Sequence, residues 1–395
     1  MSTLNAAAPA APLRVAIMGI RGLPAAHGGF ESFAERLAPF LAGRDCQVSV
    51  YCQEEGHKPL HTSRWGEVER VHIAVGDDTP VASMRFDWLC IGHALQQRPD
   101  VVLILGYNTA AFAVRLRLAG IPTVINMDGI EWSRAKWGPL AKAWLYFNER
   151  MGCWLGHRLV ADHPVIAQHL ATRVPARKVT TIPYGADRLD EVSAQPLSAL
   201  GLSPRGFITL IARAEPENSV LEIVKAFSSQ RRGVKLVVLG NYLPADVAFH
   251  AAVVSAASDE VVFPGAIYDQ EVVGALRSHG LFYVHGHQVG GTNPSLLEAM
   301  GAGNAVLAHD NAFNRWVLGA GGLYFRDVAG CAQAITQLLD DQALVGEMQA
   351  ANRQRVQDVF VWQQVLGAYA SLLKTAASRG SDVHQDNPIW KPHTT

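Results

Sequence analysis

The sequence predicts an α/β protein built from two Rossmann-like domains, and three observations carry that prediction. Short apolar runs of strand length alternate with segments of helical period along most of the 395 residues. Glycine-punctuated loops follow strand ends near residues 19–29 and 286–293. A polar stretch with Gly and Pro at residues 184–204 breaks the alternation into two sets, and a chain of this length can bury two cores.

Residues 13–18 form a first apolar strand, followed by the long loop Gly19-Ile20-Arg21-Gly22-Leu23-Pro24 and His27-Gly28-Gly29. From Phe30 the spacing turns helical, with Phe33, Leu37, Phe40 and Leu41 on one side, and residues 48–52 return as a strand. The glycines are spread too widely for the G-x-G-x-x-G dinucleotide fingerprint. In open parallel sheets ligands bind beyond the carboxyl ends of strands, which is where this loop lies. Strands at 71–75, 101–105 and 122–126 and helices at 86–96 and 110–118 continue the pattern.

After the strand at 122–126 comes Asp128-Gly129-Ile130-Glu131-Trp132-Ser133-Arg134-Ala135-Lys136-Trp137. Carboxylates there can bind sugar hydroxyls and aromatic faces can stack on C–H groups; a helix start with solvated charges is the plainer alternative. A helix over residues 140–155 carries Trp144, Tyr146, Phe147 and Trp154 among Lys142 and Arg150. Such a helix suits either a lipid surface or a packed core. A strand at 157–160, a helix at 163–170 and a strand at 179–182 complete the first set, giving a domain over residues 13–185 and a linker over 186–205.

The second set, residues 206–350, opens with a strand at 207–212 that ends in Arg213-Ala214-Glu215-Pro216-Glu217-Asn218. Arg213 at a strand's carboxyl end, before a helix starting near Ser219, is placed to neutralise a diphosphate; a surface pair with Glu215 or Glu217 is the alternative. Strands at 235–239, 261–263, 281–284 and 305–308 follow. Between the last two, Gly290-Gly291-Thr292-Asn293-Pro294 makes a glycine loop, a helix N-cap and a first-turn proline. The free N–H groups of such a helix start suit a phosphate, and Glu298, four residues after Pro294, can accept ribose hydroxyls. Helices over 351–377 are expected to close the fold, one crossing back to the first domain, and residues 1–12 and 378–395 to be disordered.

Composition sets further bounds. A net charge of −1 gives no whole-chain attraction to nucleic acid, so anion binding must be local. Cys46, Cys52, Cys90, Cys153 and Cys331 are odd in number and lack a C-x-x-C pair, which points to reduced, buried thiols. With no signal-peptide pattern at the start and no apolar run of roughly 20 residues, the chain is expected in the cytoplasm, either free or held at the inner membrane face.

These motifs together resemble the GT-B-fold retaining glycosyltransferases of the family 4-like group, over roughly residues 13–375. The glycine loop at Gly28-Gly29, the strand end at Arg213 and Glu298-Ala299-Met300-Gly301-Ala302-Gly303 match that family in order and spacing. The loop from Gly19 to Glu31, the Asp128-Gly129-Ile130-Glu131-Trp132 segment and the run from Gly291 to Glu298 are similar to a rhamnosyltransferase subgroup. The resemblance implies two domains facing across a cleft that closes on a nucleoside diphosphate sugar, first dTDP-L-rhamnose, with a glycan or lipid-linked saccharide as acceptor. It also implies front-face transfer with retention and no cofactor, and the lack of a D-x-D pair agrees with metal independence.

Two departures bear on the site. The first glutamate of the family's pair is Gly290 here, which leaves the amides of residues 290–292, or Asp128 and Glu131, to meet the sugar. The family's lysine is Asn218, so Arg213 would carry most of the leaving-group charge, with His27 and Arg21 as helpers. His285 and His287 lack a third metal ligand nearby, and a structural role is expected for them. A nucleotide-sugar 2-epimerase and a non-catalytic nucleotide-sugar-binding partner are the competing readings of the same fold.

Overall fold

The computed structural model describes residues 11–25, 28–77 and 79–378, and the chain divides into two compact units. The expectations for residues 1–10, for His27 and for the tail from 379 lie outside the described residues.

The first unit takes in the chain up to Ser133, Trp137–Ile182 and the chain from Leu366 onward. Its elements are β1 (Leu13–Met18), α1 (Gly29–Ala42), β2 (Cys46–Glu54), β3 (His61–Trp65), β4 (Val68–Ala74), α2 (Pro80–Gln97) and β5 (Val101–Leu105). A 3-10 turn over Ala110–Ala113 leads into α3 (Val114–Leu118), β6 (Thr123–Asn126), α4 (Pro139–Leu155), β7 (Arg158–Ala161), α5 (Pro164–Ala171) and β8 (Val179–Thr181). The sheet order is β3-β4-β2-β1-β5-β6-β7-β8, parallel except for β3 on β4. β5 is buried at every position, which is why it reads as an unbroken apolar run rather than an alternating one. The edge strand β3, His-Thr-Ser-Arg-Trp, has no buried face and left no apolar signal. α2 begins six residues before the expected start, because Thr79 Oγ1 accepts the Ala82 N–H at 3.1 Å and Pro80 occupies the first turn.

The second unit takes in Pro183–Val365 with Arg134–Lys136. It runs β9 (Phe207–Ile211), α6 (Val220–Ser228), β10 (Lys235–Leu239), α7 (Ala248–Ser255), β11 (Val261–Gly265), α8 (Gln270–His279) and β12 (Tyr283–His285). Then follow α9 (Pro294–Gly301), β13 (Val306–His309), α10 (Ala312–Leu318), β14 (Gly322–Phe325), α11 (Val328–Asp340) and α12 (Gln342–Val359). Its sheet, β11-β10-β9-β12-β13-β14, is parallel throughout.

Residues 186–205 do not form a free linker. Leu197 and Leu202 lie in the core of the second unit with Phe207 and Leu276, and the Ala186 N–H donates to the Phe360 carbonyl at 2.7 Å. The helices after residue 350 also separate: Val356 and Val359 of α12 pack with Leu297 and Met300 of α9 inside the second unit. From Leu366 the last helix, α13 (Trp362–Ala377), belongs to the first unit, where the Tyr369 ring lies 4.6 Å from that of Phe33. All five cysteines are buried and free of disulfides.

Packing around α9 explains one glycine that has no ligand-binding reason to be there. A Cβ on Gly301 would stand 2.1 Å from the Asp187 carbonyl oxygen, and the Gly301 carbonyl accepts the Leu189 N–H at 3.1 Å. Gly301→Ala is therefore expected to destabilise the fold by about 3 kcal/mol, the upper end of the usual overpacking cost, because backbone cannot yield as a side-chain tip can. Urea unfolding measures it, and an unchanged midpoint would contradict this packing.

Candidate active site

Parallel sheets place ligands where the connections from two neighbouring strands leave in opposite directions, beyond the strands' carboxyl ends. In the first sheet that point lies between β1 and β5, and in the second between β9 and β12. The residues expected to bind the donor follow β1, β9 and β12, so each unit presents its loop at its own switch point.

In the second unit, β9 delivers Arg213 on an exposed turn, and no ion pair of Arg213 occurs among the described residues, so the expected alternative pair with Glu215 or Glu217 is not formed. The turn is held from within. Asn218, 3% exposed, donates its side-chain amide to the Arg213 carbonyl at 2.9 Å. Asn218 stands where the resembling family has a lysine, and its amide fixes the arginine's backbone. A Cβ on Gly286 would come within 2.0 Å of the Asn218 carbonyl, so the loops after β9 and β12 touch there.

The loop after β12 ends as the sequence predicts. Asn293 Oδ1 caps α9 by accepting the Ser295 N–H at 2.9 Å, with Pro294 in the first turn. Gly290 has φ of +130°, with open space where a side chain would stand. Thr292, 2% exposed, is turned inward and its Oγ1 accepts the Tyr184 N–H at 3.2 Å. Ser295 Oγ donates to the Ile211 carbonyl at 3.3 Å and shares a hydrogen bond of 2.7 Å with the Tyr283 hydroxyl, which ties the first turn of α9 to the end of β9. Glu298 is half exposed and takes Arg277 on one oxygen at 2.5 Å, so its carboxylate is aimed by a buried cation. Gly291 lies in the same partly exposed loop.

Behind this loop the rings of His285 and His287 stack at 4.4 Å, His285 buried and His287 partly buried. Neither ring nitrogen of His285 has a hydrogen-bond partner, and neither has Nδ1 of His287. Burial, reinforced by the neighbouring charge of Arg213, pushes His287 down to about 3, and burial pushes His285 well below the ordinary imidazole range. Both rings are neutral at physiological pH, so neither adds positive charge beside Arg213.

In the first unit the loop after β1 is braced by carboxylates of α1. The Arg21 N–H donates to Glu31 Oε1 and the Ala25 N–H to Glu35 Oε1, each at 3.2 Å. Gly28, in extended conformation, caps α1 and Gly29 begins it, and both are exposed. Glu31 is buried in the first turn, so this helix start already holds a negative charge of its own, which weakens it as an anion cradle compared with α9.

Asp128 stands after β6 with φ of +49°, a left-handed conformation that is strained for a non-glycine residue. Its N–H donates to Asn126 Oδ1 at 2.9 Å, and the Asn126 amide donates to the Tyr369 hydroxyl at 2.7 Å. The backbone turn at Asp128 is thus held by a buried relay through Asn126 to Tyr369. Glu131 donates its N–H to the Tyr107 hydroxyl at 2.9 Å and accepts Trp137 Nε1 at 3.3 Å. Asp128 and Glu131 thus come together on one loop. The sequence reading passed over Tyr107, after β5, and buried Asp162 and His163, after β7; the glycine at 106 was the available signal for the first.

Away from these loops Glu54, His61 and His72 gather on β2, β3 and β4, a cluster of metal-ligand types that the sequence reading missed. His72 Nδ1 lies 2.9 Å from Glu54 and its Nε2 lies 2.7 Å from Ser63 Oγ.

Residues 206–341 match the family described as glycosyl transferases group 1. The second unit carries a glycosyltransferase domain. Residues 13–187 match a domain of unknown function, DUF1972. No curated protein matches the sequence. Among solved structures the chain is similar to the sucrose-phosphate synthase of Thermosynechococcus elongatus, at 17% identity over 92% of this chain and 98% of that one, with a TM-score of 0.77. It is similar to the UDP-forming α,α-trehalose-phosphate synthase of Burkholderia xenovorans in complex with glucose-6-phosphate, at 13% identity over 92% and 100%, TM-score 0.71. It is also similar to an E. coli trehalose-6-phosphate structure bound with UDP-2-fluoro glucose, at 12% identity over 91% and 98%, TM-score 0.72. At these identities the likeness is one of fold, and the fold is GT-B, with two parallel-sheet α/β domains. On that fold, Arg213 and the glycine loop before α9 lie within the span of the glycosyltransferase domain.

Proposed function

We propose that the protein transfers a sugar from a nucleoside diphosphate donor to a hydroxyl of a glycan or lipid-linked saccharide, with retention at the anomeric carbon and without a metal ion or cofactor. The first candidate donor is dTDP-L-rhamnose. The observation that carries this reading is the glycosyltransferase family match over residues 206–341, which spans Arg213, the open loop at Gly290 and the capped start of α9. The E. coli neighbour is bound with a nucleoside diphosphate sugar analogue, which supports the donor class.

In this mechanism the amides at the start of α9 and the guanidinium of Arg213 take up charge as the diphosphate departs, the step with the largest electrostatic demand. Glu298, aimed by Arg277, accepts the ribose hydroxyls. The residue in place of the first glutamate is Gly290, so backbone N–H groups of Gly290, Gly291 and Thr292 approach the sugar, and Asp128 and Glu131 orient it or its acceptor. Arg21, Gly28 and Gly29 contact the donor, and Asn218 sets the backbone that carries Arg213. The departing phosphate receives the acceptor proton, so no side-chain nucleophile is needed.

Thermal-shift screening across dTDP-, UDP- and GDP-sugars tests the donor class, because a ligand that binds only the folded state raises the melting temperature with its affinity. Transfer in EDTA, with the product's anomeric configuration read by NMR, tests the rest. A folded protein whose melting temperature responds to none of these donors would overturn the proposal. Conversion of UDP-N-acetylglucosamine without any acceptor would replace it with an epimerase.

A further inference from the structure

The helix α4 is built inside out. Its buried side carries Leu145, Asn148, Glu149, Gly152 and Cys153, while Leu140, Trp144, Phe147 and Trp154 are 89%, 36%, 48% and 60% exposed. The outward residues are spaced four, three and seven apart, which puts them on one face of the helix. The inward polar groups are fully engaged. Asn148 Oδ1 accepts the Ala111 N–H at 2.9 Å, and Glu149 binds Trp132 Nε1 at 2.6 Å, His169 at 2.9 Å and Arg173 at 3.3 Å. Folding therefore accounts for the inner face and leaves the outer one unexplained.

Neighbouring helices carry exposed apolar side chains as well. Trp144 Nε1 donates to the Asn108 carbonyl at 2.9 Å, Trp88 of α2 meets Phe112 edge-on at 5.3 Å, and Leu118 of α3 is 83% exposed. Where α4 ends, a hollow of about 240 Å³ is lined by Arg117, His157, Arg158, Arg177 and Lys178, with no acidic side chain among its described lining. Lys178 Nζ donates to the Trp154 carbonyl at 3.2 Å, so the cations adjoin the last tryptophan of the stripe. Arg158 opens β7 and the loop from Arg117 leads into β6, so the hollow stands at the amino ends of the strands, opposite the loops of the candidate active site.

We propose that the outer face of α4, with the basic hollow at its end, docks the protein on an anionic lipid bilayer, the hollow receiving a lipid phosphate. Tryptophan and phenylalanine beside clustered arginines match an interface with acyl chains below and phosphates above. Charge complementarity selects this occupant: a hollow lined by cations with no acidic side chain among its described lining fits lipid phosphates. No helix among the described residues is long and apolar enough to cross a membrane, so contact of this kind is peripheral. The proposal is independent of the donor and acceptor.

Flotation of the full chain with vesicles of phosphatidylcholine alone, or mixed with an equal part of phosphatidylglycerol, tests it. Binding is expected on the mixed vesicles, weakening with added salt, and at least about tenfold weaker on the neutral ones. The double variant Arg117→Ala, Arg177→Ala should lose roughly fivefold for each cation removed, and Phe147→Ser with Trp154→Ser about tenfold or more. Both should keep the wild-type melting temperature and any donor-induced shift of it, which separates this result from the fate of the donor reading. Equal recovery with and without anionic vesicles overturns the proposal. So does release by inorganic phosphate at matched ionic strength, which would mark a site for soluble phosphate. A serine variant that binds vesicles normally, but loses mass by light scattering, would mean an interface between copies and also overturns it.

Discussion

Arg213→Ala is expected to lower kcat by about two to three orders of magnitude, the usual cost of removing one group that stabilises developing charge. The melting temperature should barely move, because Arg213 is exposed and forms no ion pair among the described residues. The reason for so large an effect is that both histidines behind the loop are held neutral by burial and so cannot share the work. Arg213→Lys should recover part of the rate, since the charge returns without the planar fork. Steady-state kinetics with the best donor from the screen measures this, and wild-type kcat in Arg213→Ala would remove the arginine from the mechanism.

The second large effect concerns acid. An imidazole in an unfolded chain titrates near 6.5, whereas His287 is held at about 3 and His285 also lies well below its ordinary range. The unfolded state therefore binds protons that the native state refuses. The stability involved is complete above about pH 6.5 and is lost progressively as pH falls toward the native value. Between pH 6.5 and pH 5 His287 should remove about 2 kcal/mol, from the linkage of about 1.4 kcal/mol per pH unit, and His285 acts in the same direction. Urea unfolding at the two pH values should show a steep loss in the wild type and a loss smaller by about 2 kcal/mol in His287→Gln. An identical loss in both proteins would show that His287 does not stay neutral.

What could be read in advance followed from local chemistry. Asn293 and Pro294 announced the start of α9 because capping needs only residues adjacent in sequence, and Cys46, Cys52, Cys90, Cys153 and Cys331 are buried and unpaired as their spacing implied. What escaped depended on tertiary partners. Thr79 capped α2 several residues before its apolar period began, and β3 was invisible because an edge strand with no buried face gives no apolar alternation. Periodicity exposed two faces of α4 without saying which was inside, since Asn148 and Glu149 are buried only through partners far along the chain. Nor could the position of Asn218 reveal that its amide turns back onto the Arg213 carbonyl.

The membership of α13 in the first unit has a consequence for biosynthesis. Tyr369 and Leu373 are buried there, and Tyr369 supports Asn126, which in turn holds Asp128. A ribosome delivers those residues only after the entire second unit has emerged. The half that is made first must therefore wait for the last helix, and a nascent chain halted at Ile182 would carry a sheet with a missing wedge and an unsupported aspartate.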